Sequence, residues 1–332
     1  MALSAPVLHK RSLYAPLSAV ALSLFLGACN RTSGSAAAKD DLTLVPKETD
    51  VVLMVNVKQA RTSALWAKFI DKVNQDAKAK KNYDEVVAKC HVDPFKQLDS
   101  VFVALPSNVT ETKEFAVLMR GDFSPEKLVS CMVQVAKEKN ETVTEAQHAG
   151  LTYYTIGTQS SYVTALPKKA VLLAGADWLK RSIDLSKGNG DSATRNAPLA
   201  EMIRRTKTAD SLWWAGLVPA NVSEKLGNNP HVAALHSLKS VSGSLDVAKG
   251  LKLRAYLDLG SAQDANQLKD KATEQLANLR KVPAVKMMGM VSFLDTVKVA
   301  AEKQSFVVDM NMTQQQVDDL IERLTAAMAQ LR

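Results

Sequence analysis

Over most of its length the chain alternates between short apolar runs, which predict β-strands, and segments with apolar residues three and four apart, which predict helices. The runs predicted as strands in the first part of the chain lie at 51–57, 100–106, 114–123, 152–157, 162–167 and 170–175. A polar turn between the second and third runs predicts a hairpin. Ser124 and Pro125 are predicted to start a helix as N-cap and first helical residue, and Asp177 is predicted to cap another.

The second part of the chain repeats this order of predicted elements. Its predicted strands lie at 212–219, 240–247, 251–260, 290–295, 298–302 and 305–311. A long helix is predicted over 262–281, and Thr313 with Gln316 forms a capping box for the last helix. From the hairpin onward, corresponding residues such as Val163 and Val299 are separated by a nearly constant 136 to 140 positions. An ordered series at such an offset favours an internal duplication.

These elements predict an α+β fold of two similar repeats, each an antiparallel sheet with helices packed on one side. Repeat 1 is assigned to 45–187 and repeat 2 to 211–332, with 188–210 as a connector. Two similar sheets side by side, or one continuous sheet across a pseudo-twofold axis, are both compatible with the pattern.

The composition is that of a folded protein with an aliphatic core, at 46% hydrophobic and only 5% aromatic residues. The formal net charge is +8, and removal of Lys10 and Arg11 with residues 1–28 leaves +6. This charge is spread along the chain, whereas nucleic-acid binding needs a clustered basic face, so no nucleic-acid partner is expected. A mild attraction to anionic lipid head groups, or solubility alone, is the expected consequence.

The N-terminal residues have the organisation of a secretion signal. A basic start is followed by an apolar stretch over 13–25, which is too short to cross a hydrocarbon core of about 30 Å as a helix. The stretch ends in LGAC at 26–29, which resembles the lipobox of bacterial lipoproteins. The resemblance implies cleavage before Cys29 and attachment of acyl chains such as palmitate to this residue. An ordinary signal peptide followed by a chance cysteine is the alternative.

The same resemblance implies an address in the cell envelope. Asn30, rather than aspartate, follows the cysteine, which implies sorting to the outer membrane with the mature chain facing the periplasm. Two acyl chains make a stable anchor, so the membrane is an expected partner through the N-terminal lipid. Residues 29–44 are mostly small or polar and lack apolar periodicity, which predicts a flexible tether.

The remaining two cysteines predict a disulfide. If Cys29 is acylated, two cysteines remain, Cys90 and Cys131. An even number of cysteines in an oxidising compartment favours a disulfide. A bond between them would join two predicted helices and contribute about 3–4 kcal/mol in the chain-entropy model. Two buried free thiols are the alternative.

Motifs that carry catalysis are missing from the sequence. It has no nucleotide-binding glycine loop, no HExxH, no GxSxG and no CxxC, so neither an enzyme activity nor a cofactor is predicted. Ser124 and Lys127 fit the SxxK pattern of serine acyltransferases, but their partner motifs are absent and Ser124 has a capping role. His231 and His236 are five apart and point away from each other on a helix, and His91 is expected to be solvated, so no metal site is predicted.

Trp213 and Trp214 are the most unusual pair in the chain. Adjacent side chains of a strand point to opposite faces, so one is expected in the core and the other under a helix or available to a ligand or partner. Both are therefore candidate residues of a binding surface, with full burial as the alternative.

Three functions remain open at this point. The first is a non-catalytic lipoprotein that binds or scaffolds an unknown protein, and the second is a periplasmic carrier of a lipid or other apolar ligand. The third is an enzyme whose site the sequence does not show. The opening VPKETDVVLMVNV and the repeated order of elements resemble uncharacterised duplicated envelope proteins of bacteria, a resemblance that implies no specific activity.

Overall fold

The computed structural model describes residues 39–157, 161–167, 169–227 and 230–330. The predicted signal peptide, Cys29 and 30–38 of the predicted tether lie outside the described residues. The strands are β1 Val51–Val55, β2 Leu98–Leu105, β3 Ala116–Gly121, β4 Val143–His148, β5 Leu151–Ile156, β6 Tyr162–Leu166, β7 Ala170–Ala174, β8 Leu212–Leu217, β9 Ser240–Asp246, β10 Gly250–Asp258, β11 Val297–Glu302 and β12 Ser305–Thr313. No helix of these residues is both long and apolar enough to cross a bilayer.

The helices occupy the segments between the strands. They are α1 Val57–Ala60, α2 Ala64–Gln75, α3 Ala77–Cys90, α4 Pro94–Gln97, α5 Val109–Thr112, α6 Pro125–Glu138, α7 Ala176–Ser186, α8 Ala197–Arg205, α9 Ala220–Gly227, α10 Ala262–Leu279, α11 Pro283–Met287, α12 Val291–Leu294 and α13 Gln314–Gln330. Two 3-10 helices lie at Ala193–Arg195 and Pro230–Ser237, and residues 39–42 are also helical. The α+β class is as the sequence predicts.

One antiparallel sheet of twelve strands runs through the described residues, in the order β11-β12-β10-β9-β8-β1-β2-β3-β7-β6-β5-β4. The two halves of the sheet meet at the pair β1 and β8, in which Leu53 lies opposite Trp214. Outward from this pair the first five strands of each half follow the same order, β1-β2-β3-β7-β6 and β8-β9-β10-β12-β11. The β4–β5 hairpin extends the first half only. Of the two arrangements left open by the sequence, the structure has the continuous sheet.

The two faces of the sheet are called face A, on the side of Met54 and Trp213, and face B, on the side of Leu53 and Trp214. In the first half, face A carries the largest hydrophobic cluster. Its members are fully buried side chains of β1, β2, β3, β7 and β8, helices α7 and α8, and residues 42–45. Helices also lie on face B of this half, so the first half is covered on both faces.

The chain enters the fold earlier than predicted. Asp41, Leu42 and Leu44 are buried, and both leucines belong to the face A cluster. The flexible tether predicted to reach residue 44 is therefore wrong for 41–44. Arg120 of β3 donates from Nε to an Asp41 carboxylate oxygen at 2.7 Å. This partly buried ion pair holds the start of the folded chain at one end of β3.

Face B is covered by several separate helical groups. Helices α1, α2 and α4 cover Val55 and Val101, while α6 covers Val163 and Val171. In the second half, α10 with the 3-10 helix Pro230–Ser237 forms a third group, and α12 with α13 forms a fourth. Face B therefore has four small cores where face A of the first half has one large core.

Four local predictions can be compared with the structure. Ser124 caps α6, and Thr313 with Gln316 forms the predicted capping box of α13. Asp177 does not cap α7: the N-cap is Gly175, and the Glu114 carboxylate accepts the backbone N–H groups of the first turn instead. The strand predicted over 290–295 is also wrong, since these residues lead into and form helix α12.

Candidate binding surface

The predicted disulfide is present. Cys90 at the end of α3 is bonded to Cys131 in α6, with 5.3 Å between their Cα atoms. Helix α3 has no buried residue of its own, so the bond attaches an outer helix to a helix that packs on the sheet. Cys29, the predicted lipidation site, lies outside the described residues.

Trp213 and Trp214 point to opposite faces, as the period of a strand predicts. Trp213 is fully buried in the face A core, where its ring lies 6.4 Å from that of Phe102. It cannot form part of a binding surface, and the prediction that it is available to a ligand is wrong. Trp214 is only partly buried, on face B.

Trp214 lies at the centre of an apolar surface that we call the central strip. Its six residues are apolar, are all partly exposed and belong to β1, β2, β8 and β10: Val51, Leu53, Leu105, Trp214, Leu253 and Ala255. None of them belongs to the four cores of face B. The strip therefore lies between the helical groups, on the strands where the two halves meet.

Two glycines shape the strip. Gly243 of β9 lies opposite Trp214, and a Cβ there would lie 2.6 Å from the indole Cζ2 atom. Such a contact is impossible without movement, so the glycine lets the indole lie close to the sheet. Gly216 lies opposite Val51 in the same way, with 3.2 Å from a Cβ position to a valine methyl. The two glycines remove side chains that would otherwise stand beside the strip.

One end of the strip is closed by helices of both halves. Leu65 of α2 packs in the same core as Val317 of α13. Beside them, Lys68 Nζ donates to a carboxylate oxygen of Asp318 at 2.6 Å. This hydrogen bond lowers the pKa of the Asp318 carboxyl group. The contact joins the two halves across face B where β1 ends.

Face A of the second half offers the alternative site, a set of side chains that we call the polar layer. Its members are Arg205, Ser240, Ser242, Arg254, Tyr256, Asp258, Glu302, Ser305 and Asp309. The Tyr256 ring lies between two guanidinium groups, 4.7 Å from that of Arg205 and 5.2 Å from that of Arg254. Val307, opposite Tyr256 on the same face, is fully buried beneath this layer.

The polar layer is bonded to itself. Asp258 accepts from Arg205 Nη1 at 2.8 Å, from Ser240 at 2.5 Å and from Ser305 at 2.6 Å. Burial alone would raise the pKa of Asp258, but these hydrogen bonds outweigh it and lower the pKa. An ionised carboxylate with three donors is a poor general base. The acids, hydroxyls and guanidinium groups of the layer therefore form a hydrogen-bonded network.

The three histidines whose side chains the structure describes, His91, His148 and His236, contact different partners. His148 Nε2 lies 3.0 Å from both carboxylate oxygens of Asp184, and His91 ends α3 in the left-handed conformation. His236 Nδ1 lies 2.8 Å from the Ala233 carbonyl. Within the described ranges, no three histidine, cysteine, aspartate or glutamate side chains are grouped as metal ligands.

Two depressions stand out on the surface, and both are open and lined mainly by polar residues. One of about 650 Å³ follows the outer side of α10, and one of about 190 Å³ lies between α7 and residues 189–191. Neither is lined by the central strip. The partly exposed central strip is therefore not part of either depression.

Sequence reasoning found only Trp214 among the six strip residues. The other five are ordinary aliphatic strand residues, and their partial exposure depends on where distant helices pack. The signals that could have pointed to the strip are Gly216 and Gly243, because glycine inside a strand often marks a close approach.

Comparison with known proteins gives similarity to solved structures only. No protein-family profile matches the chain, and no curated protein matches it. Crystal form I of TP0453 is similar at 14% identity and a TM-score of 0.45, over 86% of this chain and 96% of that one. Crystal form III of TP0453 is similar at 14% identity and a TM-score of 0.47, over 84% of this chain and 97% of that one.

Proposed function

We propose that this chain is a lipid-anchored, non-catalytic binding protein of the bacterial cell envelope, and that the central strip binds an apolar segment of a partner protein. The observation that carries the proposal is the position of Trp214. It is a large aromatic side chain, partly exposed and set among aliphatic residues between four separate cores.

A surface of this kind favours protein association. Tryptophan is enriched among the residues that dominate binding energy, and its truncation at such positions costs about 2 kcal/mol or more. The two glycines beside the strip let Trp214 and Val51 lie close to the sheet, which gives a partner's segment a low apolar surface to pack on. The strip is partly exposed and lines neither surface depression, which favours a partner's segment over a small molecule held in a closed cavity.

The remaining parts of the proposal rest on the sequence. The lipobox-like LGAC at 26–29 supports acylation of Cys29, and Asn30 supports the outer membrane as the destination. The non-catalytic role is supported by the polar layer, whose acids and hydroxyls are bonded to one another.

Photo-cross-linking in intact cells tests the role of the strip. A photoreactive amino acid replaces Leu53 in the strip, and the control carries it at Val86, an exposed apolar residue of α3. The proposal predicts a defined protein adduct from position 53, none from position 86, and loss of the adduct when Trp214→Ser is added. Adducts with lipid instead of protein would favour the carrier. Equal labelling from both positions would contradict binding by the strip.

The anchor has its own test. Mass spectrometry of the mature N-terminal peptide should show that it begins at Cys29 and carries acyl groups, and Cys29→Ala should remove them. An unmodified peptide, or cleavage at another residue, would contradict the lipid anchor and leave the strip untouched.

A further inference from the structure

A second apolar surface lies at the end of α10 and in α11, and it is far more exposed than the central strip. Its exposed side chains are Leu279, Val282, Met287 and Met288. Met287 is 87% exposed, a value that leaves almost its whole side chain in solvent. We call these four residues the methionine tip.

The methionine tip lies in a segment of one charge sign. Residues 275–294 contain Arg280, Lys281 and Lys286 and no aspartate or glutamate. Arg280 is paired with Asp295 at 2.9 Å, whereas Lys281 and Lys286 are exposed beside the apolar side chains. Apolar and cationic side chains on one exposed surface match the interface of an anionic bilayer.

The fold holds the tip in place. Arg323 of α13 donates to the Met288 carbonyl at 3.0 Å, and Gly289 turns the chain with φ of 64°. On the inner side, Met290 and Phe293 pack in the core that contains Val317. The exposed methionines are therefore presented by a packed scaffold.

The tip and the start of the folded chain lie at the same end of the sheet. Val55 and Leu212 lie side by side at one end of β1 and β8. Across the sheet, the strand register places Arg120, which binds Asp41, one residue beyond them towards that same end. In the other direction, the paired residues that start at Leu212 end at the first residue of β11. Helix α12, which follows the tip, leads into β11, so the tip lies at this end as well. Strands β3 and β11 are seven positions apart in the sheet, or about 34 Å at about 4.8 Å per strand.

We infer that the methionine tip is a second membrane-contact site, which binds an anionic lipid surface through its apolar side chains and Lys281 and Lys286. The inference rests on the proposed lipid anchor only in that the anchor brings this end of the sheet to a bilayer. Contact at two points about 34 Å apart would fix the orientation of the sheet relative to the membrane.

Vesicle sedimentation of unlipidated protein tests the inference. The protein used is residues 30–332, which lacks Cys29 and retains every described residue. It should sediment with vesicles of phosphatidylglycerol and phosphatidylethanolamine and much less with phosphatidylcholine alone. Met287→Asn with Met288→Asn should lower the partition coefficient about tenfold or more. Lys281→Gln with Lys286→Gln should lower it about fivefold per lysine on the anionic vesicles only.

The matched control is Val222→Asn. Val222 is comparably exposed on α9, which follows the opposite end of β8, so its substitution should leave sedimentation unchanged. Because all substituted side chains are exposed, the unfolding temperatures of the variants should match the wild type.

Three results would overturn the inference. The first is that residues 30–332 do not sediment with anionic vesicles. The second is that the methionine variant sediments as much as the unsubstituted protein. The third is that the protein forms a dimer without vesicles and the methionine substitutions dissociate it. An acylated Cys29 with any of these results would leave the anchor intact. Vesicle binding together with an unmodified Cys29 would contradict the lipid anchor but support the methionine tip as a membrane-contact site.

Discussion

The two halves of the sheet share a strand order but differ in what covers face A. In the first half, α7 and α8 pack on aliphatic side chains of β1, β2, β3 and β7. In the second half, the helices that contact β10 and β12 pack on face B, and face A carries the polar layer. Helix α7 follows β7 onto face A, whereas α13 follows the corresponding strand β12 onto face B.

The difference follows from the residues of the strands. Face A positions of β3 and β7 include Leu118 and Leu172, which bury their side chains under helices. The corresponding face of β9 and β10 has Ser242, Arg254 and Asp258. A helix needs an apolar stripe to pack against, so α13 lies where Met310 and Met312 provide one. Two halves with the same strand order can therefore differ in whether helices cover a sheet face, and the residues of the strands decide which.

Truncating one face A residue in each half should give the largest contrast. Leu172→Ala removes a fully buried side chain of the first half and should cost about 2–5 kcal/mol of unfolding free energy. Asp309→Ala on face A of the second half removes a half-exposed ion pair and should cost less than about 1 kcal/mol. Urea denaturation of both variants measures the difference. An equal loss of unfolding free energy in the two variants would contradict the described difference in packing between the two halves of face A.

The disulfide is confined to the first half, since residues 211–332 contain no cysteine. Cys90→Ser with Cys131→Ser should lower the unfolding free energy by about 3–4 kcal/mol through the freer unfolded chain. Chemical denaturation with and without reductant measures the effect. The wild type should lose a similar amount on reduction, and the double variant should not respond to reductant.

Asp41 should make the first half sensitive to pH. Burial raises its pKa to about 6, against the opposing effect of Arg120. Because the folded-state pKa exceeds the unfolded value, this residue's contribution to stability is complete below about pH 4 and lost as pH rises towards 6. The difference in unfolding free energy between wild type and Asp41→Asn should fall by up to about 3 kcal/mol over that interval. A constant difference from pH 4 to 7 would contradict the burial of an ionisable carboxyl group.

Asp258 should behave in the opposite way in the second half. Its pKa is lowered by its hydrogen bonds despite burial, so its contribution is present at neutral pH and lost only as pH falls below about 4. Asp258→Asn should cost about 1–3 kcal/mol at pH 7 because the charge-assisted bonds with Arg205 weaken. Urea denaturation at pH 7 tests the cost. A variant as stable as wild type would show that the polar layer does not stabilise this face.

Local patterns were sufficient for most strands and several helix starts. The runs at β1, β2, β3 and β12 are either apolar on both faces or alternate between apolar and polar residues. Ser124 caps α6 through a contact within one helical turn, which a local pattern can show. Strand β4 was not predicted because its sequence VTEAQH is polar and mostly exposed at the sheet edge. The cap of α7 comes from Glu114, 63 residues before the N–H of Asp177, and no local pattern could show it.

The candidate surfaces depended on tertiary contacts that the sequence does not encode locally. The period of a strand separated Trp213 from Trp214, but the buried one could be identified only once Phe102 lay beside it. Leu53 and Leu253 have the same chemistry as core residues, and their exposure follows from the gap between the helical groups on face B.

Hydroxyl-radical footprinting of the adjacent tryptophans tests the central claim most directly. Trp213 is buried in the core and should remain unlabelled in purified protein and in intact cells. Trp214 should be labelled in purified protein, where the strip is open, and protected in intact cells, where the partner covers it. Equal labelling of Trp214 in both states would contradict a binding role for the central strip.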